Sequence, residues 1–190
     1  MIKLIIGLGN PGPQYLLNRH NVGFLVVDAL SRAYGAGEPR IRDKGAAQEI
    51  TVGGRRVFLF KPLSYMNLSG GPAASFATFY KIDPSAILVI HDDLEVAPGR
   101  MRIKNGGSSG GHNGLESIIK AIKTEAFVRI RIGTAKENAK GHAKLLNGDD
   151  NIEKFILGKF KDEEIKELKK VAKSVNEAVM VLVKEGREKA

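Results

Sequence analysis

Short, fully apolar stretches alternate along this chain with longer segments whose apolar residues return every third or fourth position. That alternation restricts the fold more than any other feature of the sequence. Lys3–Ile6 reads as a buried strand. Val22–Tyr34 reads as a helix, with Val22, Leu25, Val26, Ala29, Leu30 and Ala33 on one face and Gly35 ending it. Gln48–Val52 and Val57–Phe60 flank Gly53-Gly54, a hairpin signal. Pro72–Tyr80 predicts a helix that opens on proline and closes before Asp83-Pro84. Ala86–Ile90 is a further apolar strand and Met101–Lys104 a shorter one. Gly114–Lys123 places Leu115, Ile118, Ile119 and Ile122 on one side of a helix. Phe127–Ile132 alternates apolar and basic residues, which predicts a strand with one face in water. Asp162–Lys184 predicts a long amphipathic helix with an apolar stripe from Ile165 to Leu182 and with Lys166, Lys169, Lys170 and Lys173 over the rest. Strands interleaved with helices give an α/β fold: one domain over residues 1–190, a mixed twisted sheet between helical layers, and a C-terminal amphipathic helix. In such folds ligands gather at the carboxyl ends of the strands.

The bulk properties narrow the class. No apolar run reaches the roughly 18 residues of a membrane span, and no basic segment followed by a cleavable apolar stretch precedes the first strand. With no cysteine in 190 residues, disulfides, thiolate nucleophiles and cysteine-zinc sites are excluded. These features together predict a cytoplasmic protein. Lys and Arg number 30 against 21 Asp and Glu, a formal charge of +9. Such a balance either serves a polyanionic partner or only keeps the surface soluble.

Gly7-Leu8-Gly9-Asn10-Pro11-Gly12 is a literal G-x-G-x-x-G after an apolar strand. A dinucleotide site needs the last glycine to open a helix whose free N–H groups face the pyrophosphate. Here Pro11 and Pro13 bracket Gly12, and no helical pattern starts before Val22. Asp28 falls too early, and mid-helix, to be the ribose-binding acid. The stretch instead reads as a strand followed by a rigid turn that presents Asn10.

Polar residues cluster at predicted strand ends. Asn10 follows the first strand, Ser64-Tyr65-Met66-Asn67 follows the Val57–Phe60 strand, and His91-Asp92-Asp93 follows Ala86–Ile90. His20, in Arg19-His20-Asn21, precedes the first long helix, so its loop returns across the same edge. A histidine beside an aspartate is the minimal general-base pair, and neutral asparagines can hold water or a developing oxyanion. Each residue also has an ordinary structural role available. Asn10 suits a turn, His20 or Asn21 can open a helix, His91 can be a core histidine, and Asp92-Asp93 can be loop acids.

Asn105–Gly114 is glycine-rich. It lacks the G-K-[ST] of a phosphate loop. Gly107-Ser108-Ser109-Gly110-Gly111 matches G-x-S-x-G, but the helix pattern begins too late to strain Ser109 into a nucleophile elbow. Asn113 can serve as an N-cap with Glu116 as its capping-box partner, and the loop reads as a lid or close-approach surface. His20, His91, His112 and His142 have no compact metal-ligand spacing, so no metal or other cofactor is expected. Asn67-Leu68-Ser69 matches a glycosylation sequon that needs a secretory route to be used.

Taken in order, GLGNPG-x-x-Y-x-x-x-RHN-x-G, MNLSG, HDDLE-x-x-PG-x-x-R-x-K and GG-x-x-GGHNGL resemble bacterial-type peptidyl-tRNA hydrolases. The likeness runs from Met1 to about Gly133 and resumes at Phe155–Phe160 and the basic last helix. It implies cleavage of the ester between a peptide and the 3′ ribose of tRNA, with no metal or other cofactor, no membrane and no obligate protein partner, by a monomer. By this resemblance His20 is the base that activates water and Asp92 orients it. Asn10 helps sense the N-blocked or peptide character of the substrate, and Asn67 and Asn113 hold the substrate end and its attacking water. Tyr15 and Tyr65 line the cleft, and Lys104 and Arg131 grip phosphates. A non-catalytic RNA-binding relative is the alternative. After Ile132-Gly133 the chain departs from the family's usual Arg-Pro segment and reads Thr134–His142, then Leu146–Asp150.

Overall fold

The computed structural model describes residues 1–137, 143–144 and 148–186. Residues 138–142 and 145–147, with His142 among them, lie outside the described residues.

The elements in chain order are β1 (Leu4–Gly7), α1 (Val22–Ala33), β2 (Arg40–Arg42), β3 (Gly45–Val52), β4 (Arg55–Pro62), α2 (Gly70–Phe79), β5 (Ile87–Asp93), β6 (Met101–Asn105), α3 (Asn113–Ile122), β7 (Val128–Gly133), a small ribbon of β8 (Lys136–Glu137) and β9 (Ala143–Lys144), α4 (Asp149–Ile156) and α5 (Asp162–Lys184). One seven-stranded sheet runs β2-β3-β4-β1-β5-β7-β6. β1 is parallel to both β4 and β5, and β5 to β7, while β2, β3 and β6 pair antiparallel. The sheet is mixed, as the alternation of elements predicts.

Successive strand residues point to opposite faces, so each fully apolar strand feeds two cores. Ile5, Leu88, Ile90, Val128, Ile130 and Ile132 pack against α1 and α5. Leu4, Ile6, Phe60, Ile87 and Val89 pack against α2 and α3. Burial of one such side chain contributes about 1.5–3 kcal/mol, so a short strand buried on both faces is held in place by very few residues. The hairpin between β3 and β4 turns at Gly53 and Gly54, with φ of 55° and 78°, a pair of left-handed residues that a two-residue turn requires.

Several boundaries differ from the sequence reading, for physical reasons. β5 continues through Asp93, so His91, Asp92 and Asp93 belong to the strand rather than following it. Pairing with β7, up to Asp93 opposite Gly133, extends the strand. α2 begins at Gly70, which places Pro72 inside the first turn, where a missing N–H leaves no hydrogen bond unmade. β2 and α4 had no apolar signature: Arg40 and Ile41 are exposed, and α4 is an eight-residue helix of mostly polar residues.

The expected wet face of β7 is not wet. Arg129 is 2% exposed because its guanidinium reaches into the glycine-rich loop, and Arg131 is half-buried because it pairs with Asp93 and Glu95. Asn113 is not the N-cap of α3. His112 takes that place, its Nδ1 accepting the N–H groups of Gly114 (3.1 Å) and Leu115 (3.3 Å). Asn113 is instead the exposed first residue of the helix.

Candidate active site

β4, β1 and β5 are adjacent and parallel, so their carboxyl ends meet at one edge of the sheet. That edge receives Asn10 from β1, the Ser64–Asn67 segment after β4, and Asp92 from β5. The opening G-x-G-x-x-G leads into a short 3-10 turn at Pro13–Tyr15, and the next α-helix begins at Val22, so no helix N-terminus faces the motif.

His20 sits in a 3-10 turn, Arg19–Asn21, that runs directly into α1. Its position depends on how closely α1 approaches the sheet. A Cβ on Gly23 would lie 2.3 Å from the Leu8 nitrogen and 2.4 Å from the Ile90 oxygen, so only glycine admits this contact. The Phe24 N–H donates to the Leu8 carbonyl (3.2 Å), and the Leu8 N–H to the Ile90 carbonyl (3.0 Å), which ties helix and strand ends together. Arg19 anchors the other side. Its guanidinium meets Glu164 in the first turn of α5 at 2.8 Å and stacks 4.4 Å over the Phe155 ring.

This packing brings His20 Nδ1 to 2.9 Å from Asp92 Oδ1 and 3.0 Å from Oδ2. Burial pulls the His20 pKa down, but the charge of Asp92 and its hydrogen bond together outweigh burial, and the net shift is upward from 6.5. Burial pushes Asp92 up, and the two facing histidines more than reverse this, holding the carboxyl well below its usual range. Asp92 is therefore ionised, and Nδ1–H of His20 donates to it. Nε2 is left as the basic nitrogen. It has no hydrogen-bond partner among the described residues, and the His20 side chain keeps 7% of its surface exposed.

A second histidine shares the carboxylate. His112 Nε2 lies 3.0 Å from Asp92 Oδ1. Because its Nδ1 already accepts two backbone N–H groups, its proton must sit on Nε2 and is donated to Asp92. The sequence reading passed over His112 in favour of Asn113. A histidine just before a predicted helix start was the available signal, since an imidazole nitrogen can cap a helix as a carboxylate does. His91 completes the cluster, 4.9 Å from the His112 ring centroid and edge-on to it. Its Nδ1–H donates to the Asp92 carbonyl (2.7 Å), while its buried Nε2 has no partner. Burial first, and then His112, lower its pKa to about 3.

His20, Asp92 and His112 offer ligand atoms within 4.8 Å of one another, a convergence that sequence spacing did not reveal. The donor set nevertheless fits a metal poorly. A cation on His112 Nε2 would force a proton onto Nδ1, against two N–H donors, or require an imidazolate.

Asn10 is fixed on three sides. Its Oδ1 accepts the Met66 N–H (2.7 Å), its own N–H donates to Asn21 Oδ1 (2.9 Å), and its carbonyl accepts Asn21 Nδ2 (2.9 Å). Asn21 thus braces Asn10 and makes no side-chain cap to α1. Asn67 and Asn113 are both exposed, and Met66 Sδ reaches the start of α3 at Gly114, so the segments carrying the two amides meet. Tyr15 is half-buried, and Tyr65 is exposed at the start of the turn that carries Asn67. Ser109, the residue in nucleophile-elbow register, lies beside Glu116 and helps hold its carboxyl below the usual range.

Register places Lys104 beside Arg129 and Arg102 beside Arg131 on one face of the sheet. Arg131 is paired with Asp93 (2.5 Å) and Glu95 (2.6 Å). Lys104 and Arg102 are exposed and have no carboxylate partner among the described residues. Arg102 was not singled out from sequence.

Residues 4–190 match the model of the family described as peptidyl-tRNA hydrolase. The chain belongs to the peptidyl-tRNA hydrolase family. A curated relative named peptidyl-tRNA hydrolase from Frankia alni is 40% identical over 185 residues, 97% of this chain and 89% of the relative. One from Moorella thermoacetica is 50% identical over 136 residues, 72% of each. The crystal structure of peptidyl-tRNA hydrolase from Acinetobacter baumannii superposes with a TM-score of 0.86 at 37% identity, covering 96% of this chain and 88% of that one. Among the described residues no helix is long and apolar enough to cross a membrane.

Proposed function

We propose that the chain hydrolyses the ester joining a peptide to the 3′ ribose of tRNA, with His20 as general base. Family membership supports the activity, and the His20–Asp92 contact at 2.9 Å carries the mechanism. An aminoacyl ester has an activated carbonyl and a good leaving alcohol, so a positioned water and one base are enough chemistry.

His20 Nε2 takes a proton from water as the water oxygen bonds to the ester carbonyl carbon. The carbonyl π electrons move onto oxygen, and Asp92 stabilises the imidazolium that forms. When the tetrahedral intermediate collapses, the bond to the ribose oxygen breaks and the imidazolium returns its proton to that oxygen. The products are free tRNA and a peptide carboxylic acid. The exposed amides of Asn67 and Asn113 hold the ester and its oxyanion. Asn10 offers Nδ2, which has no hydrogen-bond partner among the described residues, to the blocked amino end. Tyr15 and Tyr65 flank the 3′ terminus. Lys104 is free to meet a phosphate, whereas a phosphate at Arg131 must compete with two carboxylates. The +9 charge suits a polyanionic RNA. Every group in the scheme comes from one chain, which suits a monomer, and the substrate is a product of translation, which places the work in the cytoplasm.

The test is cleavage of N-acetylaminoacyl-tRNA by wild type and His20→Ala. Loss of the base lowers turnover by about 10²- to 10⁴-fold while tRNA binding stays close to wild type. Turnover retained by His20→Ala would remove the mechanism, and an inactive wild type would favour a non-catalytic RNA-binding role.

A further inference from the structure

The glycine-rich loop, 105–112, is held from beneath by a buried cation. Arg129 is 2% exposed, and its two terminal nitrogens donate to consecutive loop carbonyls, Nη1 to Ser108 (2.6 Å) and Nη2 to Gly107. No carboxylate is paired with it among the described residues, and its Nε is buried without a partner. The charge of exposed Glu125 reaches it only from beyond ion-pair contact, and burial outweighs that attraction. Burying a guanidinium without a contacting counter-charge costs several kcal/mol in general. A long apolar side chain would fill the same space against Phe127 more cheaply. What only the guanidinium supplies is a rigid fork that clamps two successive carbonyls.

The clamp is connected to the chemistry. Beyond Ser108, the Ser109 carbonyl accepts the His112 N–H (3.1 Å), closing the turn that delivers His112 to the helix start. From there His112 Nε2–H reaches Asp92 Oδ1 at 3.0 Å, the same oxygen that meets His20 at 2.9 Å. Gly107, with φ of 98°, is also where the end of the Lys104 side chain lies against the loop.

We propose that Arg129 is a positioning residue of the hydrolytic centre: its grip on the Gly107 and Ser108 carbonyls seats His112 on Asp92 and so sets how strongly Asp92 supports His20. This rests on the reading of His20 as base. Unlatching the loop removes one of the two donors that hold Asp92, so the carboxylate loses its fixed aim at His20 and kcat falls, while its charge is left undivided for His20. The imidazolium is then favoured, and the pH at which activity half-appears moves upward.

Arg129→Met keeps an unbranched side chain of similar length, and the freed carbonyls lie in a loop that water can reach. The expected result is about a tenfold fall in kcat with little change in folding, by analogy with the loss of one hydrogen-bonded contact. The acid midpoint of the kcat profile rises, and amide exchange in 106–112 is faster. Arg129→Lys, with one donor centre, falls between the two. His112→Gln lowers kcat by itself, and the double variant is no worse than His112→Gln alone, since both act through one contact. Multiplicative losses in the double variant overturn the proposal. So does a fall in melting temperature with kcat and its pH midpoint unmoved, which marks Arg129 as merely structural. If Arg129→Met does not fold, Arg129→Lys with His112→Gln completes the same cycle. Failure of the underlying reading is seen separately, as full turnover in His20→Ala.

Discussion

Replacing Asp92 with asparagine removes the carboxylate's charge while keeping its shape. The amide oxygen can stay 2.9–3.0 Å from both His20 Nδ1 and His112 Nε2, but the charge that offsets burial at His20 is gone. A hydrogen bond to a charged group contributes about 1.5–3 kcal/mol, and each 1.36 kcal/mol of transition-state stabilisation is tenfold in rate. Asp92→Asn should therefore lower kcat by about 10- to 200-fold. The pH profile carries the sharper prediction. In the wild type the pKa of His20 lies above 6.5, so activity appears as pH rises through a midpoint above 6.5. In the variant only a neutral hydrogen bond opposes burial, which is the largest of the three influences, and the midpoint falls below 6.5. Steady-state release of tRNA from N-acetylaminoacyl-tRNA across pH 5 to 9 measures both quantities. A midpoint that stays put, or moves upward, refutes the assignment of Asp92 as the source of His20 basicity. So does a kcat loss below about threefold, far short of one charged hydrogen bond.

Gly23→Ala puts a Cβ 2.3 Å from the Leu8 nitrogen, where no side chain can yield, and should cost about 1–3 kcal/mol in urea unfolding and reduce kcat as His20 shifts. Gly71→Ala, which meets nothing within 4 Å, is the control, and equal stabilities would discount the close approach. Acid should unfold the protein partly through His91, whose pKa of about 3 means that the unfolded state binds a proton that the native state refuses. Stability from this group is complete above 6.5 and is lost as pH falls, by about 2 kcal/mol at pH 5 at 1.36 kcal/mol per unit. His20 has an upward shift, so its contribution is already complete below 6.5 and does not alter that window. Denaturation of wild type and His91→Gln at pH 6.5 and 5.0 checks this, and equal pH slopes contradict it.

The sequence alone determined what depends on local pattern. Periodicity fixed α5 at Asp162–Lys184, Gly53-Gly54 fixed the hairpin, and the two prolines excluded a nucleotide fingerprint, because each follows from constraints carried by neighbouring residues. The motifs also identified His20 and Asp92 as partners, although 72 positions separate them. Tertiary structure alone decided the rest. Neighbouring parallel strands, and not spacing, put Asp92 beside His20. A glycine-only contact set the height of α1 over the sheet. A loop folded over β7 buried Arg129, and two carboxylates covered Arg131, where alternation predicts a wet face. His112 is the clearest case, since its proton is placed by two backbone N–H groups that exist only once α3 has formed. Local pattern is written in contacts a few residues apart, whereas the charge and tautomer of a buried group are set by whatever folding brings against it.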